Sequence, residues 1–349
     1  MLLLILLIAC ADLARTDALS TCPEAESVRL HTSDDAPIQL HRHPGDGQPV
    51  LVVHGISSNH RCWDLSPERS LAVALAEAGY DAWLLDLRGH GDAIVPEART
   101  HGWTVDDYGG RDMHRAITHI QSQTGADRVA IVGHSMGGMV AAAYHGIHGD
   151  AAIGALVVVG SPIVFDDPDL LLRIGQASLG LGSLVDRFRT DVPARWMSAI
   201  PGPIPLHGEG ILFNGRNVSP QVRTEMLQQI VSPVSREELK HFSRMFSAGR
   251  LTSADGKVDY VHALGSLRAP LLVISGAADR VAPPERVQAW IPASGSPNET
   301  YIEAGKDAGM QEDYGHLDLA LGDRAQREIH SEITTWLDAH FQSAPPPQD

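Results

Sequence analysis

Three residues of the kinds that together perform nucleophilic acyl chemistry follow one another along the chain: Ser135, Asp279 and His316. A serine hydroxyl is a weak nucleophile near neutral pH, so a base must accept its proton as it attacks a carbonyl carbon. A histidine can be that base when a carboxylate holds its tautomer and stabilises the imidazolium that forms. We therefore expect these three side chains to meet in one catalytic site.

Ser135 lies within Gly133-His134-Ser135-Met136-Gly137, between an apolar β-branched run and a stretch of small residues. This is the strand, sharp turn and helix context that a G-x-S-x-G motif requires, and the turn projects the serine hydroxyl above the edge of a sheet. Glycine suits both flanks, because a Cβ there would collide where the strand and the helix pass closely. The alternative interpretation is a structural turn in which Ser135 only caps the helix.

Asp279 follows a buried apolar run, and His316 lies in the loop after the next strand. The order of serine, acid and histidine is the one expected for a nucleophile on such a turn. Asp279 could instead cap the helix that follows it, and His316 could be a buried loop histidine. Asp166 is the alternative carboxylate, whereas His330, on the last helix, is a weak candidate for the base.

Two backbone N–H groups are expected to hold the oxyanion that forms during attack, those of Met136 and Ile56. Met136 directly follows the nucleophile, and Ile56 follows His54-Gly55 at the end of a buried strand. Ser135, Asp279 and Ile56 all lie just beyond strand ends, where open parallel sheets bind their ligands. This agreement favours an active site at that edge of the sheet.

Short apolar runs alternate with helical patterns along most of the chain. The predicted strands are residues 28–31, 38–43, 49–53, 82–85, 129–132, 155–160, 270–275 and 299–302. Continuous rather than alternating apolar runs are typical of parallel strands buried on both faces. The pattern predicts an α/β fold with a doubly wound, mostly parallel sheet.

The strand pattern stops between residues 161 and 267, a segment rich in glycine and proline with helical pieces. We predict a helical cap or lid inserted into the sheet domain, whose two parts are residues 28–160 and 268–342. Residues 170–189 are apolar and interrupted by glycine, which suits a mobile amphipathic lid. Residues 343–349 are expected to form a disordered tail.

The N-terminal run of residues 2–9 is apolar but shorter than the roughly 20 residues that span a bilayer. It fits the hydrophobic part of a secretory signal, and Leu7-Ile8-Ala9-Cys10 resembles the lipobox of bacterial lipoproteins. We expect a signal segment at 1–9, a polar tether at 10–27, and export with membrane attachment through acylated Cys10. If the run is instead a buried helix, the protein is cytoplasmic.

Composition excludes several other classes of function. A net charge of −16 argues against a nucleic-acid partner and against a basic membrane-binding surface. The cysteines, Cys10, Cys22 and Cys62, lack the paired spacing of a zinc site, although Cys22 and Cys62 could form a disulfide in an exported protein. His41 and His43 are the tightest pair among 18 histidines, and their spacing fits one face of a strand. We expect no metal and no cofactor, and the sequence predicts no particular oligomeric state.

From Val50 to the final helix, the chain resembles the α/β-hydrolases with a serine nucleophile. Residues 70–72 and 76–84, and His316-Leu317-Asp318, resemble the acid-lipase branch. The turn sequence GHSMGG differs from the GHSQG usual in that branch, and the sequence DLRGHG at residues 86–91 is the pattern of general esterases. We interpret that loop as a structural turn beneath the site.

Other branches are disfavoured by the nucleophile. Polyhydroxyalkanoate synthases also resemble this chain but carry cysteine at the turn, whereas dehalogenases and soluble epoxide hydrolases carry aspartate. The resemblance therefore implies a carboxylic-ester hydrolase acting on a small-molecule or lipid-like ester. Two alternatives stay open: acyl transfer on the same three residues, and a non-catalytic binding protein of the same fold.

Overall fold

An eight-stranded sheet is the framework of the protein. The structure, a computed structural model, describes residues 25–94, 102–165, 187–198 and 210–341. The strands of this sheet are β1 (Glu26–His31), β2 (Pro37–His43), β3 (Pro49–Val53), β4 (Asp81–Asp86), β5 (Val129–His134), β6 (Ile153–Val159), β9 (Leu271–Gly276) and β10 (Glu299–Ala304). Two further strands of two residues each, β7 (Arg187–Phe188) and β8 (Val234–Ser235), pair with each other elsewhere.

The strand order in the large sheet is β1-β2-β4-β3-β5-β6-β9-β10. All neighbours from β4 to β10 pair in parallel, whereas β1 with β2 and β2 with β4 pair antiparallel. Successive residues of β3 pack into two different cores, Leu51 and Val53 into one and Val50 and Val52 into the other. Both faces of the sheet are therefore covered, and the predicted doubly wound, mostly parallel α/β fold is confirmed.

Helices cover both faces of the sheet. Their bounds are α1 (Leu71–Glu77), α2 (Val105–Asp107), α3 (His114–Thr124), α4 (Met136–His148), α5 (Asp191–Ser198), α6 (Pro220–Gln229), α7 (Arg236–Ala248), α8 (Tyr260–Ala263), α9 (Pro284–Gln288), α10 (Trp290–Ala293), α11 (Asp318–Leu321) and α12 (Ser331–His340). The predicted regular helix over residues 105–123 contains a π-helical segment at Tyr108–Met113. There Gly109 packs so closely on α4 that an added Cβ would lie 2.7 Å from the Tyr144 amide nitrogen.

The described residues between β6 and β9 are mainly helical, with β7 and β8 as short exceptions to the prediction of no strand. The boundaries of the predicted cap stay a prediction. Several sequence predictions lie outside the described residues: the signal segment and most of the tether, Cys10, Cys22, Asp166, most of the lid 170–189 and the tail 343–349. Within the described ranges, no helix has both the length and the apolar character needed to cross a membrane.

A buried carboxyl group joins the segment between β6 and β9 to the rest of the protein. Glu238 lies in the first turn of α7, where its backbone N–H donates to the Ser235 hydroxyl and its carboxyl accepts from the Ser235 backbone N–H. Its side chain is fully buried, beside the hydroxyl of Tyr108 and 4.0 Å from Nε2 of His90. Burial raises the pKa of Glu238 to about 8. The carboxyl group is therefore mostly protonated at neutral pH.

The raised pKa of Glu238 makes stability depend on pH. In the unfolded chain the carboxyl has its ordinary pKa near 4.5, so the folded state binds the extra proton, and its advantage is full below about pH 4.5 and is lost as pH rises through 8. Glu238→Gln, which keeps a neutral side chain of the same shape, should remove this loss of roughly 1–3 kcal/mol between pH 5 and pH 8. Urea unfolding at several pH values measures it.

Glu237→Gln is the matched control, because Glu237 is adjacent on the same helix turn but pairs with Lys240 near the surface. Its unfolding free energy should follow the wild type across the pH range. If Glu238→Gln shows the same pH slope as the wild type, Glu238 is ionised in the folded protein and this account of its burial is wrong.

Candidate active site

Ser135 occupies a sharp turn between the central strand β5 and helix α4. Its backbone has φ 52° and ψ −120°, a left-handed conformation that a non-glycine residue rarely adopts. A Cβ on Gly133 would lie 2.5 Å from the carbonyl carbon of Gly137, and one on Gly137 would lie 2.5 Å from the Val53 carbonyl oxygen. The glycines therefore allow β5 and α4 to approach closely, as the sequence predicts.

The three predicted side chains meet in one hydrogen-bonded line. The Ser135 hydroxyl lies 2.9 Å from Nε2 of His316, and Nδ1 of His316 lies 2.7 Å from Oδ2 of Asp279. All three residues are buried, with exposures of 6%, 4% and 4% for Ser135, His316 and Asp279. With the proton on Nδ1, the imidazole donates to the carboxylate and presents a lone pair to the hydroxyl, which is the arrangement that a general base needs.

Asp279 serves both roles that the sequence allowed. Its Oδ1 accepts the backbone N–H groups of Val281 and Ala282, at 2.8 Å each, in the turn before α9. Its Oδ2 remains directed at His316. The turn therefore fixes the carboxylate, and the carboxylate fixes the tautomer of the imidazole. His330, the weaker candidate for the base, instead contacts the Ala320 carbonyl oxygen at 3.1 Å.

The two predicted oxyanion donors lie on either side of Ser135. Met136 is the first residue of α4, and the first N–H groups of a helix have no partner within the helix. Ile56 follows Gly55, where an added Cβ would lie only 3.1 Å from the Cβ of Ser135. The loop after β3 thus runs close to the serine. The oxyanion role of both N–H groups stays a prediction.

Contacts across the fold hold this loop, which we call the oxyanion loop and define as residues 54–60. Ser57, which has a φ of 53°, donates its hydroxyl to the Ser232 carbonyl at 2.8 Å. The amide of Asn59 donates to the carbonyl groups of Gln229 and Ile230, each at 2.9 Å. These partners lie between β6 and β9, so the predicted cap segment fixes the loop. No local sequence pattern indicates such contacts, because their partners are about 170 residues away.

His134 supports the site from below. Its Nε2–H donates to the backbone carbonyl of His316 at 3.1 Å, and the two rings lie 4.7 Å apart. A Cβ on Gly55 would lie 3.3 Å from its Nδ1, so the ring also packs against the oxyanion loop. Burial, followed by the nearby His316, lowers the pKa of His134 to about 3. The ring is therefore neutral at working pH, and its place in the middle of the G-x-S-x-G motif is the only sequence signal for it.

The loop at residues 86–91 is structural, as interpreted from the sequence. The Arg88 side chain donates to Asp112 at 2.7 Å and to Asp34 at 2.8 Å. Asp86 accepts the backbone N–H of His60 at 2.7 Å. Gly89 has φ 77° and packs directly on the Trp103 ring. These contacts anchor the turn below the sheet edge rather than provide a reactive group.

Two predictions about cysteine and histidine need revision. Cys62 is a free thiol and 1% exposed, so the disulfide with Cys22 is not formed in this structure. Burial raises the pKa of the Cys62 thiol to about 12, which keeps it protonated and unreactive. His41 and His43 are both buried on β2, as one strand face requires, but they contact different carboxylates, Asp86 and Asp64.

We predict that His134 positions His316. His134→Phe fills the same space but cannot donate to the His316 carbonyl, and it should lower kcat at least 10-fold with little change in KM, because misplacement of a catalytic base costs rate. His134→Gln, which can still donate, should recover most of the rate. Because His134 is neutral in the wild type, the pH–rate profile of His134→Gln should match it. Wild-type kcat in His134→Phe would contradict this role.

Comparison with known proteins agrees with this geometry. A family described as the α/β-hydrolase fold matches residues 48–308. The chain is 23% identical to the poly(3-hydroxyalkanoate) polymerase subunit PhaC of Allochromatium vinosum, covering 83% of this chain and 80% of that one. It is 24% identical to triacylglycerol lipase 1 of Arabidopsis thaliana, covering 85% and 81%.

A thermophilic esterase from Thermogutta terrifontis has a similar fold, with a TM-score of 0.62 and 22% identity over 91% of this chain and all of that one. The resemblance that the motif and the chain order suggested is therefore confirmed. The chain belongs to the α/β-hydrolase family.

Proposed function

We propose that the protein is a serine carboxylic-ester hydrolase that works through an acyl-enzyme on Ser135. The observation that carries this proposal is the continuous hydrogen-bonded line from the Ser135 hydroxyl through His316 to Asp279. A serine held on a strained turn against a histidine of fixed tautomer is the arrangement that acyl chemistry requires.

The reaction would begin as Oγ of Ser135 attacks the ester carbonyl carbon and Nε2 of His316 takes the hydroxyl proton. The carbonyl π electrons move to oxygen, and the backbone N–H groups of Ile56 and Met136 would hold that oxyanion. When the intermediate collapses, the alcohol leaves with the proton from His316, and the acyl group stays on Ser135. Water then repeats both steps, releasing the carboxylic acid and restoring the hydroxyl.

Asp279 would act without exchanging a proton. It keeps Nδ1 of His316 protonated, so Nε2 faces Ser135 as an acceptor, and its negative charge stabilises the imidazolium of each intermediate. Because Val281 and Ala282 donate to its other oxygen, the carboxylate cannot rotate away without losing two hydrogen bonds. This rigidity favours a fixed base over a surface histidine of chance position.

A lipid-like ester is the substrate class we favour. Large apolar side chains are exposed on the segment between β6 and β9, among them Trp196, with 74% exposure, and Val192 on α5. Thr190, directly before α5, lies 3.0 Å from Ser57 of the oxyanion loop, hydroxyl to hydroxyl. The exposed apolar surface therefore lies on an element joined to the site, and one relative is named a triacylglycerol lipase.

Acyl transfer is the second candidate, and similarity to a polyester polymerase subunit favours it. The acyl-enzyme would be the same, but a hydroxyl group in place of water would attack it. A non-catalytic binding protein is the least favoured alternative, because all three side chains are present at hydrogen-bonding distance.

Substitution of the three residues tests the mechanism. A fluorophosphonate probe should label the wild type once, at Ser135, and Ser135→Ala should abolish labelling. His316→Ala should lower kcat by several orders of magnitude, and Asp279→Asn by up to about 10⁴, because it favours the wrong tautomer. Circular dichroism checks that each variant folds. Persistent labelling of Ser135→Ala, or near wild-type kcat in Asp279→Asn, would refute the assignment.

A panel of p-nitrophenyl esters with increasing acyl length, with and without an added alcohol, tests substrate and reaction type together. We expect kcat/KM to rise from acetate toward longer chains, since exposed apolar surface near the site would contact them. We also expect free acid as the main product, measured by mass spectrometry. A preference for acetate would refute the lipid-like substrate, and a product dominated by the new ester would identify a transferase.

A further inference from the structure

Four ionisable side chains converge behind the oxyanion loop, outside the line that contains Ser135. They are His41 on β2, His60 at the end of the oxyanion loop, Asp86 at the end of β4, and Asp92 in the turn that follows. One ligand atom from each lies within 4.8 Å of the other three. Neither the proposed esterase mechanism nor the α/β-hydrolase family match uses this cluster.

The distances suit a small four-coordinate ion. Oδ2 of Asp86 lies 2.8 Å from Nδ1 of His60 and 3.2 Å from Nε2 of His41. Nε2 of His41 lies 3.7 Å from Oδ2 of Asp92. Zinc bonds of 2.0–2.1 Å to nitrogen and oxygen give a tetrahedron with edges of about 3.3 Å. The observed separations bracket that value, so shifts of about half an ångström would complete the coordination.

The surroundings resemble those of a built site rather than of a chance cluster. Nδ1 of His41 lies 3.0 Å from the Ser27 hydroxyl, which orients the ring with its Nε2 inward. Oδ1 of Asp86 accepts the His60 backbone N–H at 2.7 Å, which holds that carboxylate in place. The imidazoles of His41 and His60 stack with centroids 3.7 Å apart. The rings thus present two nitrogens to one place.

Access to the cluster is open on one side. His41, His60 and Asp86 are buried, whereas the Asp92 side chain is 66% exposed. An ion could therefore enter past Asp92, which would close the site as the fourth ligand. Two imidazoles with two carboxylates form a donor set that zinc accepts in tetrahedral geometry.

We propose that His41, His60, Asp86 and Asp92 bind one Zn²⁺ in a structural site. The ion would join β2, the end of β4 and the last residue of the oxyanion loop. The loop carries Ile56, so zinc would hold its far end while Asn59 and Ser57 hold it to the segment between β6 and β9. With four protein ligands, the ion keeps no open position for substrate.

A calorimetric titration of the chelator-treated full-length protein with ZnCl₂ tests the site. We expect one tight equivalent in the wild type. Asp92→Ala and His41→Gln should each weaken binding about 100-fold or more, since loss of a direct ligand costs at least as much as loss of an outer contact. His43→Gln is the matched control, because His43 is buried on the same strand and paired with a carboxylate, Asp64, but lies outside the cluster.

Thermal unfolding gives a second measurement. Zinc should raise the Tm of the wild type and of His43→Gln but not that of Asp92→Ala, whose exposed side chain can be removed without disturbing the fold. The proposal is overturned if the wild type binds no tight equivalent. It is also overturned if Asp92→Ala and His41→Gln bind zinc as tightly as the wild type, because the ion then lies elsewhere. Neither result bears on the role of Ser135.

Discussion

The close crossing of β5 and α4 is the constraint on which the rest of the site depends. It holds Ser135 in a left-handed conformation that costs on the order of 1–3 kcal/mol in a non-glycine residue. The surrounding sheet offsets this strain: β5 is buried between β3 and β6, and the Ser135 N–H donates to the Val159 carbonyl at 2.9 Å. The serine is thus fixed before any substrate binds, and the loops carrying His316 and Ile56 must be positioned to meet it.

Neutral histidines do much of that positioning. His134 links the loop of His316 to the middle of the G-x-S-x-G motif, and His54 packs under the oxyanion loop, with Nδ1 2.8 Å from the Gly55 carbonyl. Burial lowers the pKa of both rings. A neutral imidazole can donate at one nitrogen and accept at the other without the cost of burying a charge. This property explains why so many histidines of an acidic protein lie inside it.

The sequence predicted the elements with strong local signals and missed those that depend on distant partners. Strand β3 was predicted with both ends at the observed residues, and Ser135, Asp279 and His316 were predicted from a motif, two strand ends and a chain order. The π-helical turn at Tyr108–Met113 was not, because it reflects the packing of Gly109 on α4. Likewise His41 and His43 looked equivalent along the strand, and only the approach of β4 and the oxyanion loop separates them.

The oxyanion loop is where these two kinds of information meet. Its starting point, His54-Gly55, is readable from sequence, but its course is set by three outside contacts: Ser57 with Ser232, Asn59 with Gln229 and Ile230, and His60 with Asp86. The first two come from the segment between β6 and β9, and the third comes from the sheet. A displacement of that segment would therefore release one end of the loop while Asp86 holds the other. In this arrangement, substrate entry past the segment and assembly of the oxyanion donors become one structural event, which is a stronger basis for selectivity than apolar contact alone.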